Sequence, residues 1–142
     1  MFRFSFKTEI KKPIDEVYEL FRNRNKMQQW QPGLSSVDKL EEKNGMKRYK
    51  LTFRIGNRNM IMTETILKDA LPHFNVSYTL KGIENIVENT FISQSQHSTL
   101  WISDAVFKFS GIKKLISVFM KGGFEKQTQI IMNNFKSFAE HQ

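Results

Sequence analysis

The sequence contains no cysteine in its 142 residues, which excludes a disulfide framework and thiolate chemistry. It has no apolar run near the roughly 20 residues needed to cross a bilayer, so no transmembrane segment is expected. The opening MFRFSFKTEI lacks the apolar stretch of a secretory signal, and a cytoplasmic location is the default expectation. Asn75-Val76-Ser77 matches a glycosylation sequon but carries no weight without export. Histidine is sparse: His73, His97 and His141 are not at metal-ligand spacing, and no H-E-x-x-H occurs. Neither a metal nor another cofactor is expected. There is no G-x-S-x-G elbow. Lys121-Gly122-Gly123 lies inside a helical pattern rather than after a strand, so it does not read as a phosphate loop.

Acids are also short. Fourteen Asp and Glu face 22 Lys and Arg, for a formal net charge of +8. Such a surplus suits an acidic partner, whether an anionic surface or an anionic ligand. The basic residues form no arginine-rich run and no aromatic-interleaved RNA-binding signature, so no specific nucleic acid is expected. Arg48, Lys50 and Arg54 share one strand parity in MKRYKLTFR. The ordinary reading of that stripe is a solvated sheet face, and the alternative is an acidic partner.

What is abundant is phenylalanine, 13 residues, which calls for a large core or a lined cavity. The length suggests a single domain, 1–142, able to bury a core without staples. FRFSFKTEI alternates Phe2, Phe4 and Phe6 with Arg3, Ser5 and Lys7, the mark of a half-buried strand. KKPIDEVYELFRN reads as a helix, with Pro13 in its first turn and Ile14, Val17, Tyr18 and Phe21 as an apolar stripe. Asn25 is expected to cap a second short helix, KMQQW, ended by Pro32-Gly33. From Leu34 the period becomes two. Asn44-Gly45, Gly56-Asn57, Leu71-Pro72, Lys81-Gly82 and the polar tip QSQHS punctuate six strands of an antiparallel meander.

Ser110-Gly111 ends the last strand, and a helical pattern runs from there to the C-terminus. Its apolar residues form two stripes, one ending at Phe119 and one starting at Phe124, with Gly122-Gly123 between them. Each glycine costs a helix roughly 1 kcal/mol relative to alanine. A bend over a curved sheet is one reason to accept that, and close packing against a strand is the other.

The element order and several local motifs resemble the SRPBCC superfamily, also called START-like or helix-grip proteins. The likeness is greatest to its polyketide cyclase/dehydrase-like branch. It rests on Lys12-Pro13-Ile14-Asp15-Glu16-Val17-Tyr18-Glu19-Leu20, on Trp30-Gln31-Pro32-Gly33 and on Lys121-Gly122-Gly123-Phe124-Glu125-Lys126-Gln127. It covers essentially the whole chain. Asn25 departs from it, standing where many relatives have an acidic residue. The resemblance implies an α+β helix-grip fold: a seven-stranded curved antiparallel sheet, two short helices and a long C-terminal helix enclosing an apolar cavity. Members bind lipids, sterols, hormones or polyketides, and some catalyse cyclisation or dehydration.

Against that background the expected pocket residues are Trp30, Tyr49, Phe53, Tyr78, Phe91, Trp101, Ser103, Phe119 and Phe124. The aromatics supply apolar wall, and Tyr49, Tyr78 and Ser103 supply a few orienting polar groups. For each aromatic alone, plain core is the commoner role. Seven methionines add adaptable surface. Three carboxylates lie mid-strand. Strand parity turns Asp104 and Glu88 outward. In MIMTETIL both parities are apolar, which leaves the facing of Glu64 open. Glu64 is therefore the one carboxylate to weigh as a general acid or base. The expected function is non-covalent binding of a hydrophobic small molecule or lipid. A cyclase/dehydrase-like enzyme using the same cavity is the second reading. A basic interaction module with an acidic partner is the third.

Overall fold

The structure, a computed structural model, describes residues 2–109 and 123–142. The first strand, β1 (Phe2–Ile10), leads into helix α1 (Ile14–Arg22) and then a short 3-10 helix (Arg24–Gln29). Six strands follow in a meander: β2 (Leu34–Lys43), β3 (Met46–Ile55), β4 (Arg58–Ala70), β5 (His73–Leu80), β6 (Ile83–Ser95) and β7 (Ser98–Phe109). Helix α2 (Phe124–Glu140) lies near the C-terminus. All seven strands form one antiparallel sheet in the order β1-β7-β6-β5-β4-β3-β2. The first strand thus pairs with the last, Phe6 opposite Ser103.

The turns follow from residue chemistry. Asn44 and Gly45 both take positive φ, 55° and 77°, as a two-residue hairpin between right-twisted strands requires. Gly33 has a separate reason to be glycine: at φ 76° a Cβ would lie 2.9 Å from the Arg54 carbonyl oxygen. Its own carbonyl accepts a 2.7 Å bond from the Arg54 amide, which ties the chain leaving the 3-10 helix to β3. Register shifts between Leu34 and Ser36 and between Ile66 and Lys68 break the ladders locally. Such irregularities bend and twist a strand.

Two local expectations need correcting. Pro13 is the cap residue before α1, not part of its first turn. The second helix is 3-10 and is capped by Asn23, whose side chain accepts from the Asn25 amide. Asn23 is placed better because its side chain points back over the turn it precedes, whereas Asn25 already lies within it. On α2, Met132, Phe135 and Ala139 are the buried residues, at spacings of three and four, while Phe124, Ile131 and Phe138 flank them half-buried. Gly123 stands at the N-terminal end of α2 with helical backbone angles. Gly122, Phe119 and the Ser110-Gly111 stop lie outside the described residues.

The core fills the concave side of the sheet. Phe21 on α1 is its centre. Ring centroids of Trp30, Phe74, Phe91, Trp101 and Phe135 lie 5.1–5.5 Å from it, in stacked or edge-on contact. Phe4, Phe6, Phe107 and Phe124 form a neighbouring group, with Phe107 and Phe124 edge-on at 4.4 Å. The end of α2 is fastened to β1 and the loop after it. Glu140 accepts from the Lys11 amide at 2.8 Å, and the Lys136 ammonium donates to the Glu9 carbonyl.

Candidate functional site

Strand parity decides which side chains reach the concave face, and register brings them into rows. On β3 these are Tyr49, Leu51 and Phe53, and on β5 Phe74, Val76 and Tyr78. The rows meet across β4, where Glu64 pairs with Tyr49 on one side and Tyr78 on the other. The open question of Glu64 is thereby answered: it faces inward and is 0% exposed. The apolar residues of the other parity that masked it are Ile61 and Leu67, both exposed.

A carboxylate cannot be buried there alone, because desolvation of an unpaired charge costs several kcal/mol (about that order). Its partner is Arg24, the first residue of the 3-10 helix, itself 6% exposed. Arg24 Nη1 lies 2.8 Å from Glu64 Oε2. The guanidinium sits 4.8 Å from the Phe74 ring centroid and 5.7 Å from that of Phe21, within cation–π range. It also donates to the carbonyls of Phe21 and Arg22 and to the Met27 sulfur, so that each of its three nitrogens has a partner. Glu64 Oε1 meets no donor at full hydrogen-bond geometry. The Tyr78 phenol is beside it. Burial first, and then the Glu64 charge, hold the Tyr78 proton on to well above the ordinary tyrosine range.

Arg24 was not singled out by sequence reasoning. It stands in FRNRNK, a polar stretch that reads as surface. The available signal was indirect: an inward carboxylate on β4 needs a cation from whatever covers that face.

The residues expected to form a pocket divide into two groups. Trp30, Phe91 and Trp101 are buried in the aromatic cluster around Phe21. Trp101 Nε1 donates to Asn89 Oδ1 at 2.9 Å, and Asn89 Nδ2 donates to the Phe74 carbonyl, a closed polar relay within the core. Ser103 is buried opposite Asn89. Tyr49, Phe53, Tyr78 and Phe124 instead remain half-buried against the core, as do Met62 and Val87. Phe119 lies outside the described residues.

A cleft of about 710 Å³ opens between α1, the 3-10 helix and strands β2 to β5. Tyr49, Ile66 and Phe74 are on its floor side, and Arg24 stands at its inner wall. Its far corner is set by a second polar knot. Asp69 on β4 takes bonds from the Arg22 guanidinium and the Tyr18 hydroxyl. The Arg22 bond holds the Asp69 carboxyl below the ordinary aspartate range. Tyr18 is shifted the other way, up, by burial and by its bond to that carboxylate. This knot fixes α1 to the end of β4.

No family model matches the sequence, and no curated protein sequence matches it. The architecture is nonetheless shared with solved structures. A START superfamily protein from Mycobacterium smegmatis superposes with a TM-score of 0.78 at 12% identity, covering 98% of this chain and 97% of that one. The Zhui aromatase/cyclase from Streptomyces sp. R1128 gives a TM-score of 0.77 at 15% identity, over 98% of this chain and 93% of its own. Ara h 8.0201 gives 0.73 at 12% identity, over 99% of both chains. At these identities the likeness is one of fold. The fold is the helix-grip fold that the sequence resemblance implies.

Proposed function

We propose that the protein binds a hydrophobic small molecule or lipid on the concave face of the grip. One observation carries this reading. Tyr49, Phe53, Met62, Tyr78 and Val87 are apolar or amphipathic, lie on the inner face, and are not consumed by the core. Among the described residues, the Phe21 cluster beside them is buried and these side chains are only half-buried. A face of that composition, with the Tyr49 phenol as an orienting group and a cleft that reaches it, suits a ligand bound by burial with few polar contacts. The neighbours in fold include a protein described as an aromatase/cyclase, which supports an interior of this fold as a place for an organic molecule.

Glu64 supports binding over proton transfer. Its Oε2 is committed to Arg24 and the carboxylate has no exposed surface, so a bound molecule has no open route to it in this structure. The test is a native mass spectrum of the purified protein. The expected result is an added mass, lost on denaturation, or one acquired from a panel of lipids, sterols and flat polycyclic compounds. A bare mass throughout, with no uptake from any class, contradicts the reading.

A further inference from the structure

The rim of the cleft differs in character from its floor. Five cations line it, Arg22, Arg24, Lys39, Lys47 and Lys68, against two carboxylates, Glu19 and Asp69. Arg24 is neutralised by Glu64, and Asp69 is engaged by Arg22 and Tyr18. Glu19 is at 3.6 Å from Arg22 and points mostly to water. That leaves Lys39, Lys47 and Lys68, and among the described residues no carboxylate lies within ion-pair distance of any of them. Lys47 contributes only a longer-range field at Asp69. The placement of Lys39 is specific. It pairs in register with Tyr49 and so projects on the concave side of β2, over the apolar floor. Lys47 shares the inner parity of Tyr49 on β3, whereas Lys68 pairs with Asn75 beyond the bulge after Ile66 and so faces the outer side at the rim.

We infer that the ligand is an anionic amphiphile. Its carboxylate or phosphate sits between Lys39 and Lys47, and its apolar body lies over Tyr49 and Ile66 toward Phe74. This rests on the proposed binding of an apolar molecule and adds the charge and the orientation. A cluster of like charges around an apolar opening raises the local concentration of an anion and lowers the cost of leaving its head near the mouth. The stripe Arg48, Lys50 and Arg54 lies on the opposite face of β3 and plays no part.

The test compares dodecanoate with dodecanol, which have equal chains and differ in head charge, by calorimetry at low salt. Dodecanoate should bind more tightly, and the advantage should shrink as salt rises. In the double variant Lys39→Gln, Lys47→Gln, the acid-to-alcohol affinity ratio should fall by about fivefold, since exposed ion pairs contribute a few-fold each. The control Arg48→Gln, Lys50→Gln should keep the wild-type ratio. Equal binding of acid and alcohol in the wild type overturns the inference while leaving the apolar-ligand reading intact. Binding of neither overturns both. Inorganic phosphate bound as tightly as the acid at the same lysines would mean a free-anion site and overturn the amphiphile. Attachment to phosphatidylglycerol vesicles without uptake of dodecanoate would mean a membrane surface, with the same consequence.

Discussion

Two regions of the concave face use the same residue types to opposite ends. Around Phe21, five aromatic rings close on one another, and the tryptophan N–H of Trp101 is satisfied internally through Asn89. Around Glu64, the aromatics Tyr49 and Tyr78 flank an ion pair and stay half-buried. The first region receives α1 and α2 on top of the sheet, so each ring finds partners on both sides. The second lies toward β3, β4 and β5, where among the described residues the short 3-10 helix delivers one long cation. Packing makes the first region rigid and selects for volume. Polarity at the base of the second fixes Arg24 and leaves Tyr49, half-buried at the cleft, to meet a guest.

This contrast can be broken by mutation, most strongly at the centre of the packed region. Phe21→Ala removes a ring touching five others and should cost about 4 kcal/mol by urea denaturation. A loss below about 1 kcal/mol would mean that the cluster rearranges and is not close-packed.

Next in size is the ion pair. Arg24→Met leaves a buried carboxylate without its partner and should cost about 3 kcal/mol. The double variant Arg24→Met, Glu64→Leu should recover most of that loss, because the uncompensated charge has gone. If the double variant is no more stable than the single, the pair is not what holds the 3-10 helix to β4.

The smallest effect is expected at the knot joining the regions. Asp69 has its folded pKa depressed by Arg22, so its contribution is full above the unfolded value of about 3.9. It is lost as pH falls through the lower folded value. The pair is partly exposed, so the contribution is about 1 kcal/mol. Stability measured from pH 7 down through the acid range should fall more steeply in the wild type than in Asp69→Asn. Parallel curves would show that the knot adds nothing to the fold.

Much of this architecture was legible in the sequence. The turn residues Asn44-Gly45 and Lys81-Gly82 mark strand ends because few other pairs tolerate positive φ. Period-two runs give the strands, and the placement of Asp104 and Glu88 on the outer face follows from counting. Depth was not legible. Parity tells which face Trp101 and Tyr78 share, but not that one lies under α2 while the other lies beyond it. The Arg24–Glu64 pair was hidden for a related reason. It joins residues 40 positions apart through a helix whose polar sequence reads as solvent-facing. Only the three-dimensional cover of β4 makes a cation there necessary.

The central claim is that the half-buried rows, not the Phe21 cluster, receive the ligand. Titration of an ANS-like apolar probe into wild type and Met62→Gln tests it most directly. Wild type should bind about one equivalent, and the variant about fivefold more weakly, as expected for roughly 1 kcal/mol of lost apolar contact, with its melting temperature within a few degrees of the parent. Equal affinity in the two proteins, or no uptake by the wild type, would contradict it.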